Sequence, residues 1–213
     1  MQARSIGFLI GCVAIVSAVI ASLRFAPSNE VTFPVSAIHT TSSGVEAAGL
    51  CPWRSPKDDL QALFPGADHY EQHLVILSDL RLDISQRLGP NGLLDANGIY
   101  AYRVTRGGKS VGSILAQRAA GEYGAIEYVM AVAPDGSLAG VRLQRQREPD
   151  AIARTITSPA FLKAFAGKTA ASPFHLGGDL PAVAPAARQT ARSLVDSVRR
   201  LLIEFTVARE HGR

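Results

Sequence analysis

Two short turns constrain the architecture more than any other feature of the chain. Gly107-Gly108 separates the apolar, β-branched runs 99–105 and 111–117, and Pro134-Asp135-Gly136-Ser137 separates 126–133 from 138–144. A glycine pair between such runs closes a tight hairpin, because the turn needs φ > 0. In the second turn Pro presets φ and Gly accepts the positive value that follows. Four strands in succession, joined by turns too short for a crossover, can only be antiparallel. Such a sheet needs a second layer. The segment 186–206 supplies one: Leu194, Val195, Val198, Leu201, Leu202 and Phe205 recur at helical spacing, while Arg192, Asp196, Arg199 and Arg200 mostly fall elsewhere. The expected class is α+β, an antiparallel sheet flanked by short helices and a C-terminal amphipathic helix, with one N-terminal transmembrane helix.

Smaller elements precede and follow the hairpins. Ser55-Pro56 reads as the N-cap and first position of a helix that carries Leu60, Leu63 and Phe64 and stops at Pro65-Gly66. Residues 70–77 read as a strand, and 79–88 as a helix closed by Gly89. Ser158-Pro159 opens a further helix with Phe161, Leu162 and Phe165 that ends at Gly167.

The N-terminus sets the expected compartment. Residues 6–23 form an uncharged apolar run between Arg4 and Arg24. Crossing a bilayer takes about 17–25 such residues, whereas a secretory core spans about 7–15. The length and the immediate Arg24-Phe25 favour a retained anchor over a cleaved signal peptide. Arg4 on a short tail favours an inside N-terminus, with the bulk of the chain outside the cytoplasmic membrane. Residues 1–25 are read as the anchor (or uncleaved signal), 26–50 as a stalk rich in Ser, Thr, Ala and Pro, 51–98 as an N-terminal extension and 99–207 as the main domain. Cys12 falls in the apolar run, so Cys51 stands alone beyond it and offers neither a disulfide nor zinc-ligand spacing.

The formal charge is +4, yet the arginines do not form a nucleic-acid strip. Arg142, Arg145 and Arg147, and then Arg188, Arg192, Arg199 and Arg200, alternate with apolar residues, and no nucleic-acid partner is expected. His69, His73, His175 and His211 are scattered without metal-ligand spacing. No nucleophile–base arrangement marks a hydrolase. Trp53, Tyr100, Tyr102 and Tyr128 could stack on a planar ligand, but alternating aromatics in strands ordinarily serve the core.

One ordered set of short motifs carries a family resemblance. Gly121-Glu122-Tyr123-Gly124-Ala125-Ile126 leads into a strand, Pro134-Asp135-Gly136 turns, and Ala139-Gly140-Val141 opens the next strand. Arg147-Glu148-Pro149 follows, then a short helix ending in Gly167-Lys168-Thr169. In this order the chain from about 121 to 205 resembles the FMN-binding domain family, the periplasmic flavin domains of the Rnf and sodium-pumping NADH:quinone reductase complexes. The resemblance implies an FMN-binding-like domain over 99–207, with cofactor-binding positions at Gly124, Glu148, Asp179, Ala187, Arg188 and Thr190. The competing readings are turn carboxylates for Glu148 and Asp179, and a solvated helix-start arginine for Arg188.

The chain departs from the family at the attachment point. Family members esterify the FMN phosphate to the threonine of a Ser-Gly-Ala-Thr motif; aligned here, that position is Ala187 or Arg188, and neither can form the ester. The family glycine falls on Pro185 or Ala186, and Thr190, the nearest hydroxyl, comes late. The resemblance therefore implies a membrane-anchored, extracytoplasmic electron carrier with non-covalent FMN, in which Arg188 meets the phosphate as a charge-assisted donor. It works with a membrane redox complex or with haem or iron–sulfur electron-transfer proteins. The alternative is a flavin-free structural, assembly or regulatory subunit of such a complex.

Overall fold

The computed structural model describes residues 56–89 and 97–213. The expected transmembrane helix, the stalk, the Ser55 cap and Trp53 lie outside the described residues. Among the described residues no helix is long and apolar enough to cross a membrane.

The chain is α+β. Helix α1 (Lys57–Leu63) leads to strand β1 (His69–Ile76), and a 3-10 turn (Ser78–Leu80) to α2 (Arg81–Leu88). Strands β2 (Gly98–Arg106), β3 (Lys109–Ala120), β4 (Ala125–Val132) and β5 (Leu138–Arg145) follow, then α3 (Asp150–Ile156), α4 (Pro159–Lys163) and α5 (Arg188–Glu210). The five strands form one antiparallel sheet in sequence order. Both hairpins sit where their turn residues put them, at Gly107-Gly108 and at 134–137. Strand β1, from the segment read as an extension, pairs with β2 along its whole length, from His69↔Thr105 to Ile76↔Gly98.

Alternation along each strand divides the core between the two faces of the sheet. One face presents Val75, Ile99, Ala101, Leu115, Ile126, Tyr128, Met130 and Leu138 to the helical layer of α2–α5. Leu194, Val198, Leu201 and Leu202 of α5 are each at most 1% exposed there. Fully burying such a side chain is worth about 1.5–3 kcal/mol. The other face carries a smaller cluster, in which Leu60, Leu63 and Phe64 of α1 cover Tyr102, Val104, Ile114, Val129 and Ala131. Beyond α1 this face turns polar: Glu127, 3% exposed, pairs with Arg118 and with both Nε and Nη2 of Arg145. The Arg145 hydrogen bond foremost holds the Glu127 carboxyl below its usual range, with Arg118 adding to the effect.

Three elements differ from the sequence reading, the first being α4, which ends at Lys163 and not at Gly167. Helix α3 was not expected, because Asp150 to Ile156 offers only Ile152 and Ile156 as a helical pair and follows Pro149 directly. Helix α5 runs four residues past 206, its last turns kept apolar by Val207 and Ala208. The Ser158 cap forms as expected, accepting from the Phe161 amide at 3.2 Å.

Candidate functional site

The start of α5 borders a cleft of about 840 Å³, between the end of β3 and the first turns of the helix. The geometry follows from the sequence. The amphipathic helix buries Ala191, Leu194, Val195 and Val198 against the sheet, which turns Arg188, Arg192, Ser193, Asp196 and Arg200 toward the opening. Arg118 and Glu122, near the β3–β4 turn, form the opposite wall. The guanidiniums of Arg188, Arg192 and Arg200 thus face two carboxylates, while that of Arg118 is taken up by Glu127 on the other face of the sheet, and the balance still attracts anions. Its apolar lining is confined to Ala119, Ala120 and Pro185.

Arg188 is exposed and makes no hydrogen bond or ion pair among the described residues. Asp196, though exposed, is crowded by the protein enough for desolvation to push its carboxyl up, against the pull of Arg192, Arg199 and Arg200. Ser197 lines the cleft as well, and its hydroxyl lies 2.8 Å from that of Tyr128. Tyr128 is fully buried, and that burial raises its phenol strongly.

Of the six sequence-derived positions, Arg188 lines the cleft. Ala187 is the N-cap of α5, 1% exposed, with no side-chain cap. The 3-10 turn Pro185–Ala187 takes up the Arg188 amide through the Pro185 carbonyl. The backbone here is therefore partly spent on its own turn, and the guanidiniums supply most of the positive potential.

Thr190, Glu148 and Gly124 come together behind the cleft wall. Thr190, 0% exposed, donates its hydroxyl to Glu148 Oε2 at 3.2 Å and accepts from the Glu122 amide at 3.4 Å. Glu148, 6% exposed, also accepts the Tyr123 amide at 3.1 Å. The turn itself closes through Gly121 N–H to the Gly124 carbonyl at 2.8 Å, with Gly124 at φ +148°. Gly121, which the sequence reading left out of the site, is the tightest point. A Cβ there would lie 2.0 Å from Glu148 Oε1 and 2.6 Å from the Gly124 carbonyl, so only glycine lets the carboxylate approach. The first two glycines of the motif thus hold the β3–β4 turn onto Glu148 and Thr190, which sets Glu122 on the cleft wall.

Asp179 does not line the cleft. It ion-pairs with Lys168 at 2.5 Å and accepts the Phe174 and His175 amides, and these contacts, the lysine foremost, lower its carboxyl to about 2. Among the aromatics considered from sequence, Tyr128 and Tyr102 belong to the two cores, while Tyr100 is half exposed on the α1 face.

No protein-family model matches the chain, and no curated protein matches it either. The resemblance to FMN-binding domains therefore rests on the motif residues and their order.

Proposed function

We propose that this chain is a membrane-anchored, extracytoplasmic electron-transfer protein that holds FMN non-covalently in the arginine cleft. The observation that carries the reading is Arg188, without a partner among the described residues at the start of a long helix, beside Arg192. A phosphomonoester dianion suits such a place, through charge-assisted hydrogen bonds and the helix dipole. A cleft of this size lies within the usual 300–1,000 Å³ range of small-molecule sites. The fit is to the anionic end of the cofactor; the ring would rest on Ala119, Ala120 and Pro185. The flavin supplies the redox chemistry when bound, and the protein supplies binding and electrostatics. The anchor is residues 6–23 in the cytoplasmic membrane, and the partners are a membrane redox complex or haem or iron–sulfur carriers.

Attachment is non-covalent on this reading. Ala187 and Arg188 cannot be esterified, and the Thr190 hydroxyl is buried and already bonded to Glu148. The alternative, a flavin-free subunit of a redox complex, draws support from the polar lining, since cofactor sites are mostly apolar and aromatic.

The deciding experiment is the visible absorption spectrum of the purified full chain, before and after acid precipitation. Flavin absorbance that passes wholly into the supernatant supports the proposal, and flavin that stays with the precipitate overturns its non-covalent part. A colourless protein that quenches no FMN fluorescence on titration establishes the flavin-free subunit instead.

A further inference from the structure

We propose that the edge of β1, which no described strand covers, pairs with β1 of a second copy of this chain, antiparallel about a twofold axis at Leu74. The two edges of the sheet are unlike. Strand β5 carries Arg142 and Arg145, its pairing with β4 shifts register twice, and α1 and α4 pack beside it. Charges, bulges and covering helices are the devices that blunt an edge against further pairing. Strand β1 has no bulge, and Glu71 is its one side chain with a full charge at neutral pH. The strand pairs with β2 over eight residues without a register shift and contains neither proline nor lysine.

The outward hydrogen-bonding groups of β1 can be read from its inner ones. The Leu77 amide donates to the Asn97 carbonyl at 2.8 Å, and the Val75 carbonyl lies 2.9 Å from where a Cβ on Gly98 would stand. Odd-numbered residues thus turn their amides and carbonyls toward β2, and alternation turns those of Gln72, Leu74 and Ile76 to the open side. On the face beyond α1, the side chains of Leu74 and Ile76 lean over Gly98, and Tyr100 sits opposite Leu74. Leu74 is 53% exposed, Ile76 40% and Tyr100 50%.

The register is self-complementary. An axis at Leu74 sets Leu74 against Leu74 of the second copy and Gln72 against Ile76, in both directions. Each of these pairs uses outward-facing groups and can exchange two N–H···O bonds. Paired residues share a face, so Tyr100 and Leu74 of each copy join into one apolar strip across the junction. An axis at Gln72 would use as many outward positions but leave Ile76 beyond the overlap. Such an isologous contact closes a dimer and leaves no further free edge to propagate.

The test uses the full chain in detergent micelles, with Cys12→Ser and Cys51→Ser as background. Directly opposed residues in a bonded pair have Cα atoms about 5.5 Å apart, within disulfide reach. Leu74→Cys should give a disulfide-linked dimer on mild oxidation. Gln72→Cys alone should not, since its two copies would stand four residues, or about 13 Å, apart. Gln72→Cys mixed with Ile76→Cys should again link. Light scattering should give twice the chain mass for the wild type at tens of micromolar, and the single mass for Leu74→Lys, which opposes two like charges. A monomeric wild type overturns the proposal, as it would be if residues 26–55 of the same chain occupied the edge. Linking of Gln72→Cys as strong as that of Leu74→Cys overturns the register and with it the twofold pairing.

Discussion

The two halves of α5 have the same helical geometry and opposite surroundings. From Leu201 onward nearly every side chain is buried: Leu201, Leu202, Ile203, Glu204, Phe205, Val207 and Ala208. From Arg188 to Arg200 only one side is buried, at Thr190, Ala191, Leu194, Val195 and Val198, and the other borders the arginine cleft. The C-terminal half is a packing element, and its sequence answers to volume. The N-terminal half packs on one side and leaves charge free on the other, so its two sides answer to different demands. Substitutions should separate these demands.

The largest effect should come from the packed half. Leu202 is 0% exposed, and Leu202→Ala should cost about 3–5 kcal/mol through lost transfer energy and an unfilled cavity. Ser193→Ala, on the cleft side, should stay within about 0.5 kcal/mol. Denaturant midpoints of the full chain in detergent would measure both. Equal costs would mean that the cleft side is packed as tightly as the rest, and the comparison would fail.

Next comes the node that fixes the first turn of the helix. Glu148→Ala removes the acceptor for the part-buried Tyr123 amide and for the buried Thr190 hydroxyl. Leaving such donors unsatisfied should cost about 2–4 kcal/mol, and the β3–β4 turn should show faster amide exchange at Tyr123. A Glu148→Gln variant keeps an acceptor and should recover much of the loss. If Glu148 served only the ligand, stability would not move.

Arg188→Ala should leave stability almost unchanged, because the guanidinium has no partner among the described residues. A charge-assisted hydrogen bond to phosphate is typically worth about 1.5–3 kcal/mol, so FMN affinity should fall roughly ten- to a hundred-fold. Riboflavin, which lacks the phosphate, should bind weakly to both proteins. Fluorescence titration reads both ratios, and unchanged FMN affinity would remove Arg188 from the site.

The sequence disclosed the parts of this molecule whose signals are local. Gly-Gly and Pro-Asp-Gly turns, the Ser158 cap and the apolar stripe of α5 each act within a few residues, and each formed in place. The arginine cleft was half visible: the spacing of Arg188 and Arg192 put both on the non-core side of α5. Its other wall was not, because Arg118 and Glu122 reach it only through the fold of β3 across the sheet. Thr190 looked like a displaced hydroxyl near a lost acceptor. Its burial against Glu148, 42 residues away in the chain, is a long-range contact that no local pattern encodes. The role of Gly121 was hidden for the same reason, since the carboxylate that demands a glycine there comes from beyond β5.

The smallest effect should come from Asp179, in the segment that leads into α5, and it separates that segment from the cleft. Its carboxyl is held down to about 2, first by the Lys168 ammonium and then by the His175 and Phe174 amides, against an unfolded value near 3.8. A carboxyl whose folded value is depressed contributes stability that is fully present above the unfolded value. That contribution is lost as pH falls from near 4 through about 2, where the folded protein also takes up the proton. Asp179→Asn removes the charge and keeps one acceptor, so the stability gap between wild type and variant should be constant from pH 7 to 5. Below pH 4 the gap should narrow, and near pH 2 it should close. FMN affinity of the variant at pH 7 should match that of the wild type within a factor of two, because Asp179 does not line the cleft. An affinity loss as large as that of Arg188→Ala, with no stability gap to narrow, would make Asp179 a ligand contact and extend the site beyond the first turns of α5.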